Sequence, residues 1–315
     1  MAHRAKTLYR KRVNVRIGEE TLKFEDYPQL YQDSDSLAVR SEARYYWLVR
    51  LKIGLIVAAA IVVSITFSLE PNLAELGGIV LAVLLVGSMA FTVIMKIKNY
   101  DQIWSDSRAV AEYLKSETWS FMMSVGPYAG KLVGESAEKI FLERQRVALQ
   151  KRPELCAYLT TEFEEAVQIN DHMREIKNAT FETRKEYYIR NRVRDQRLWY
   201  MRKAKWNRKQ GDIWFVVGWV LEVLAIIFAI IVIDQRNLVV NPVGIVTAAG
   251  GGVISWINSR SYNEPAGSYG FVAQELLLSE EKMKQMDTEE ELAEAVLGVE
   301  KITAREHMIW LARLY

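Results

Sequence analysis

The chain has 315 residues, half of them hydrophobic and a quarter charged, with a formal net charge of +2 at pH 7. A balance so near neutrality leaves no overall electrostatic footprint for DNA, and none is expected as a partner. The single cysteine, Cys156, rules out an intrachain disulfide, and His3, His172 and His307 lie too far apart for a metal-ligand spacing, so neither metal nor cofactor is expected.

Residues 1–32 form a basic tail carrying Lys6, Arg10, Lys11, Arg12 and Arg16. It lacks the apolar core of a signal peptide, so insertion through internal spans is predicted rather than secretion. Val13, Val15 and Ile17 alternate with polar residues, as a short strand or as a tail lying near anionic lipid.

A first unit is predicted over residues 33–130. Asp33 or Ser34 is a suitable helix cap, and no proline interrupts the chain from there to Pro71. Apolar runs at about 53–69 and 76–95 read as two membrane spans. Tyr45, Tyr46, Trp47, Arg50 and Lys52 before the first run, and Lys96 and Lys98 after the second, mark a membrane interface. The connecting loop holds Glu70 and Glu75 but no Lys or Arg, which places both ends of the hairpin in the cytoplasm. With no proline before Pro127, the second span is expected to continue as an amphipathic helix until the GPYAG break.

Residues 131–183 are predicted to be a helical connector, interrupted near Pro153 and Asn178. A second unit, 184–315, opens on the most basic stretch of the chain: residues 184–209 hold eleven Lys and Arg against Glu186 and Asp195. The third span, about 213–233, carries one acid, Glu222, near its middle. Twenty apolar residues at about 1.5 Å each cross the hydrocarbon of a bilayer, and a carboxylate at that depth costs roughly 2.5 kcal/mol or more. Glu222 therefore has to face other helices or water, or be protonated. A fourth span at about 238–257 is less apolar; Pro242 fits its first turn, and Gly250, Gly251 and Gly252 offer a close-packing surface or a hinge. The tail beyond is helical, with a capping box from Thr288 to Glu291, and residues 264–306 hold eleven acids against four bases. Basic entry and acidic exit of this hairpin should lie side by side.

Four stretches carry a likeness to a known family: DYPQLYQDSDSLAVRSEARYY before the first span, RAVAEYLKSETW with GPY after the second, FETRKEYYIRNRVRDQRLWYMRKAKWN before the third, and VEKITAREHMIWLARLY at the end. Together they resemble the SLATT family, the SMODS and SLOG-associating two-transmembrane effectors, in a fused form with two units spanning roughly residues 26–315. The resemblance implies a membrane effector of bacterial conflict systems that perturbs or perforates the membrane on a nucleotide-linked signal. It supplies no catalytic residues. The chain also lacks GxxxxGK[ST], HExxH, GxSxG and paired-Cys motifs, so no enzyme is expected.

Three groups of candidate residues follow. Glu222, with Thr247 and Ser255, either lines a water-filled path or is protonated or hydrogen-bonded so as to hold the third and fourth spans together. Gly250, Gly251 and Gly252 serve packing or hinging. Arg190, Arg194, Arg197, Trp199, Arg202 and Lys203 suit contact with a nucleotide, or else anchoring at anionic lipid together with pairing to the acidic tail.

The expectation is an all-α membrane protein: two transmembrane hairpins, four spans, long cytoplasmic helical extensions, and both termini in the cytoplasm at the inner membrane. Its expected partners are lipid, further copies of itself, and a nucleotide signal or a protein that senses one. A pore-forming or membrane-perturbing effector is the first functional expectation, and a non-catalytic scaffold recruiting partners through its cytoplasmic helices is the second.

Overall fold

The computed structural model describes residues 22–66, 71–130, 136–159, 166–234 and 240–314. The basic stretch at Lys6–Arg16 and the alternating Val13, Val15 and Ile17 lie outside them. Among the described residues the chain is helical throughout, joined by short 3-10 turns, with no strand.

Helix α1, Gln29–Thr66, starts directly after Pro28, so Asp33 and Ser34 sit inside the helix rather than capping it. Each still satisfies a local group. Asp33 accepts from the Gln29 side chain at 2.9 Å, and the Ser34 hydroxyl donates back to the Leu30 carbonyl at 2.7 Å. The same i to i−4 device hides the hydroxyls of Ser64 and Thr66 at the other end, on the carbonyls of Ala60 and Val62.

Helix α2, Pro71–Lys98, and helix α3, Tyr100–Met123, are separated by Asn99. The expected continuous helix is therefore broken at that residue, whose φ of 44° lies in the left-handed region that Asn tolerates better than most side chains. Helix α3 ends where the sequence predicts a break: Ser124, Gly126 and Gly130 all have positive φ around a 3-10 turn at Gly126–Tyr128.

Helix α4, Ala137–Gln150, is capped by Ser136, and helix α5, Asp171–Lys177, by Asn170, whose side chain accepts from the Met173 N–H at 2.9 Å. Helix α6, Phe181–Tyr188, is capped by Thr180 and runs through a π-helical segment, Ile189–Arg194, into helix α7, Asp195–Asp234. Helix α8, Pro242–Arg260, has Pro242 in its first turn and Asn241 accepting from the Val243 N–H at 3.1 Å. Helix α9 covers Asn263–Lys284 and helix α10 Glu289–Leu314. The Thr288 hydroxyl accepts from the Glu291 N–H at 3.3 Å, and the Glu291 carboxylate reaches back to the N–H of Asp287, one residue earlier than a strict capping box.

The chain divides into two compact units, each drawing on several stretches of sequence. One contains the described residues within 1–38, 105–201 and 269–315; the other contains those within 39–104 and 202–268. The core of the first is fully buried and aromatic, built from Trp119, Phe121, Tyr128, Phe141, Tyr187 and Tyr188. Trp119 meets Tyr188 edge-on at 5.5 Å, and Phe121 lies 4.9 Å from Phe141. Such pairs add about 0.5–1.5 kcal/mol beyond their area.

The second unit carries the apolar segments, and its surface is the reverse of a soluble protein's. Phe215 is 70% exposed, Met89 68%, Val86 66% and Val83 65%. No residue of 213–233 is buried. Contiguous apolar surface on this scale needs lipid, or other chains in lipid, as its solvent. Among the described residues three helical stretches are long and apolar enough to cross a membrane, those within Gln29–Thr66, Leu73–Tyr128 and Phe181–Ile233. The expected fourth span is not among them. Helix α8 is long enough, but glycine, serine, threonine and asparagine dilute its apolar residues, and 235–239 lie outside the described chain.

Candidate functional site

The polar residues of the apolar segments were the first sequence candidates. Glu222 faces outward on α7, in an exposed stripe with Phe215, Trp219 and Ile226, while Trp214, Gly218, Leu221 and Ala225 form the sheltered stripe at helical spacing. Among the described residues Glu222 has no hydrogen-bond or ion-pair partner, and the bond to Thr247 or Ser255 considered from the sequence is not formed. Thr247 and Ser255 are themselves exposed on α8, and the Ser255 carbonyl accepts from the Ser259 hydroxyl at 2.8 Å.

The three glycines behave differently from one another. A Cβ on Gly252 would stand 2.8 Å from Ile53 Cγ2 and 3.8 Å from Val57 Cγ2, so this glycine lets α8 lie against α1. Gly250 and Gly251 have nothing within 4 Å of that position. Helix α8 runs unbroken through all three.

A cation and aromatic cluster closes one end of the apolar segments. The Arg260 guanidinium stacks 3.5 Å over the Tyr46 ring and lies 5.4 Å from the Trp256 ring, and its Nη1 donates to Glu42 at 3.2 Å. Arg50 approaches the same Trp256 at 5.0 Å. Trp256 donates to the Tyr262 hydroxyl at 3.1 Å, and Tyr45, Trp104 and Trp214 pack around it. Rings with a polar tip beside cations are what a membrane interface selects. Tyr45, Tyr46 and Arg50 were visible in the sequence as interface residues. Arg260 and Glu42, 218 positions apart, were not.

The basic stretch and the acidic tail do meet. Arg194 donates to Glu280 through Nε and Nη2 at 3.0 and 2.9 Å, and Arg197 reaches the other oxygen of the same carboxylate at 3.1 Å. Burial pushes the Glu280 carboxyl up, but the hydrogen bond from Arg194 and the charges of Arg194, Arg197 and Lys284 outweigh it and hold the group below its usual range. Arg184 donates to the Met123 carbonyl at 2.8 Å and pairs with Glu289. Of the residues proposed for nucleotide contact, Arg194 and Arg197 thus already share one acid. Trp199 packs on Tyr200 and Tyr269, Arg190 is half-buried, and Arg202 and Lys203 are exposed, Lys203 lying 5.8 Å over the Trp206 ring.

The most deeply placed pair was not among the sequence candidates. Arg192, only 1% exposed, donates through Nε and Nη2 to the two oxygens of Glu300 at 2.9 and 2.6 Å, and the Tyr188 hydroxyl donates to Glu300 at 2.8 Å. Burial disfavours the Arg192 charge, yet Glu300 holds the guanidinium protonated. Arg192 lies in the π-helical segment, and such segments often coincide with functional positions. The charge asymmetry of the two stretches signalled pairing in general; nothing in composition separates Arg192 from its ten basic neighbours. Among the described residues no cluster of three or more potential metal ligands exists.

Helices without strands among the described residues, apolar segments turned outward, and a cation and aromatic belt at their end define a helical membrane protein. Residues 28–185 match the model of SMODS and SLOG-associating 2TM effector domain 3, and residues 188–310 match that of SMODS and SLOG-associating 2TM effector domain 1. The chain belongs to the SLATT family, with two of its units in tandem, and its role is that of a membrane effector. No curated protein and no solved structure matches it.

Proposed function

We propose that this membrane effector forms a pore, or otherwise perturbs the inner membrane, in a bacterial conflict or defence system. It acts as a homo-oligomer with both termini in the cytoplasm, in response to a nucleotide-linked signal carried directly or by a sensing protein. The observation that carries the proposal is Glu222. Its carboxylate sits midway along the most apolar segment, points away from the chain's own helices, and has no partner among the described residues. Lipid does not solvate a carboxylate, at a cost of about 2.5–3.5 kcal/mol, whereas copies arranged around a water-filled path do, and a ring of such acids favours cations. Exposed Thr247 and Ser255 add polar groups to the adjoining helix.

Reconstituted liposomes test this. Wild type is expected to pass cations in preference to anions, Glu222→Gln to lose the preference, and Glu222→Leu to lose flux. Unchanged conductance and selectivity in both variants removes the pore-lining role. The second reading, a non-conducting scaffold, draws on Phe271 and Leu278, 66% and 59% exposed two turns apart on α9. A chain that never conducts yet binds a partner through these two side chains is that scaffold.

A further inference from the structure

Lys115 lies on the face of α3 that also carries Arg108 and Trp119, at helical spacing, within the first unit. It is half-buried, and among the described residues its ammonium makes no hydrogen bond and no ion pair. The acids near it are engaged elsewhere. Asp35 and Glu112 are held by Arg108 at 2.9 and 2.5 Å. Desolvation presses the Lys115 ammonium below its usual range; Glu112 and Asp35 oppose this, while Arg192 and Arg108 add to it.

Two further donors belong to residues packed on the same stretch of α3: Trp119, one turn from Lys115, meets Tyr188, four residues before Arg192, at 5.5 Å and also bonds Tyr27. Arg192 uses Nε and Nη2 on Glu300, leaving Nη1 buried and without a partner. The Tyr27 hydroxyl accepts from Trp119 Nε1 at 3.1 Å, one turn along α3 from Lys115, and lies in the field of Arg192 and Glu300. Its own proton goes to no acceptor among the described residues. A cation left unpaired beside two guanidiniums costs stability, and a buried N–H without an acceptor costs more.

We propose that Lys115, Arg192 Nη1 and the Tyr27 hydroxyl form a binding site for a phosphate-class oxyanion. The three groups offer donors and positive charge with no carboxylate among them. A phosphate group presents several acceptor oxygens and negative charge, and it is the ligand that Arg and Lys together match best. Glu300 keeps Arg192 oriented without consuming its third nitrogen. The site does not rest on the conducting role of Glu222, and either can fail without the other.

The test is thermal unfolding of the full chain in a neutral detergent, with sodium phosphate against sodium chloride at matched ionic strength. Phosphate is expected to raise the wild-type midpoint saturably by about 2–4 °C. Lys115→Met is expected to unfold at a higher midpoint than wild type in chloride and to lose the phosphate response, whereas Lys115→Arg keeps the response. Lys115→Gln serves in place of Lys115→Met should the latter fail to fold. A response confined to micelles doped with phosphatidic acid identifies a lipid headgroup, and one to inorganic phosphate identifies a free ligand; both support the site. Equal shifts with chloride and phosphate, no shift with either source of phosphate, or a full response in the neutral Lys115 variant overturns it.

Discussion

Arg192 and Glu300 share two hydrogen bonds at 2.9 and 2.6 Å in a place almost closed to solvent, with Tyr188 completing the carboxylate's shell. Removing one partner strands the other charge. Arg192→Met is therefore expected to destabilise the unit that contains it by about 3–5 kcal/mol, and Glu300→Leu similarly. The double variant Arg192→Met with Glu300→Leu should recover most of that loss, because two apolar side chains remove both desolvation penalties together. Chemical unfolding followed by the buried tryptophan signal measures the cycle. Additive losses in the double variant contradict the pairing.

Gly252 and Ile53 set the approach of α8 to α1. Gly252→Val places side-chain atoms where Ile53 already stands, and overpacking of this kind costs about 1–3 kcal/mol. Gly250→Ala and Gly251→Ala enter open space within a helix, where alanine is preferred by up to about 1 kcal/mol, so neither should destabilise. Melting curves in detergent for the three single variants separate close packing at Gly252 from a hinge. A loss at Gly250 or Gly251 equal to that at Gly252 contradicts the packing assignment.

Lys177 donates to the Ser124 hydroxyl at 2.9 Å and to the Phe121 carbonyl at 3.3 Å, at the C-terminal end of α3. Burial, helped by Arg184, lowers its pKa to about 8, with Glu138 opposing. Between about pH 8 and the unfolded value near 10.4, the unfolded chain binds the extra proton, so this group makes stability rise with pH across that window. The burial of Tyr27 and Tyr188 raises their pKa values, and both act in the opposite sense once unfolded tyrosine ionises near pH 10. Unfolding midpoints measured from about pH 7.5 to 9.5 should therefore climb more steeply in wild type than in Lys177→Met. Parallel profiles contradict the depressed lysine.

Much of the architecture was open to sequence reading because each signal for it is local. The length of an apolar run against the thickness of a bilayer, Pro242 in a first turn, Thr288 before a helix and the break at GPYAG each need only a few adjacent residues. Other boundaries escaped even so. Asn99 splits a segment that no proline interrupts, because a left-handed residue is a backbone choice rather than a composition. Pro28, and not Asp33 or Ser34, sets the start of α1.

The sequence by itself determined that the chain is helical, that lipid solvates its apolar segments, and that a basic stretch and an acidic tail attract each other, since hydropathy, helical period and charge belong to residue types and spacings. Only the tertiary structure decided which arginine is buried on which acid, that Gly252 rather than its two neighbours meets another helix, that Glu222 turns outward, and that Lys115 makes no ion pair among the described residues. Those choices bring together residues up to more than two hundred positions apart, as in Arg260 with Glu42. At that separation the partner is set by how helices rotate and pack, and neither rotation nor packing is written in any one stretch of the chain.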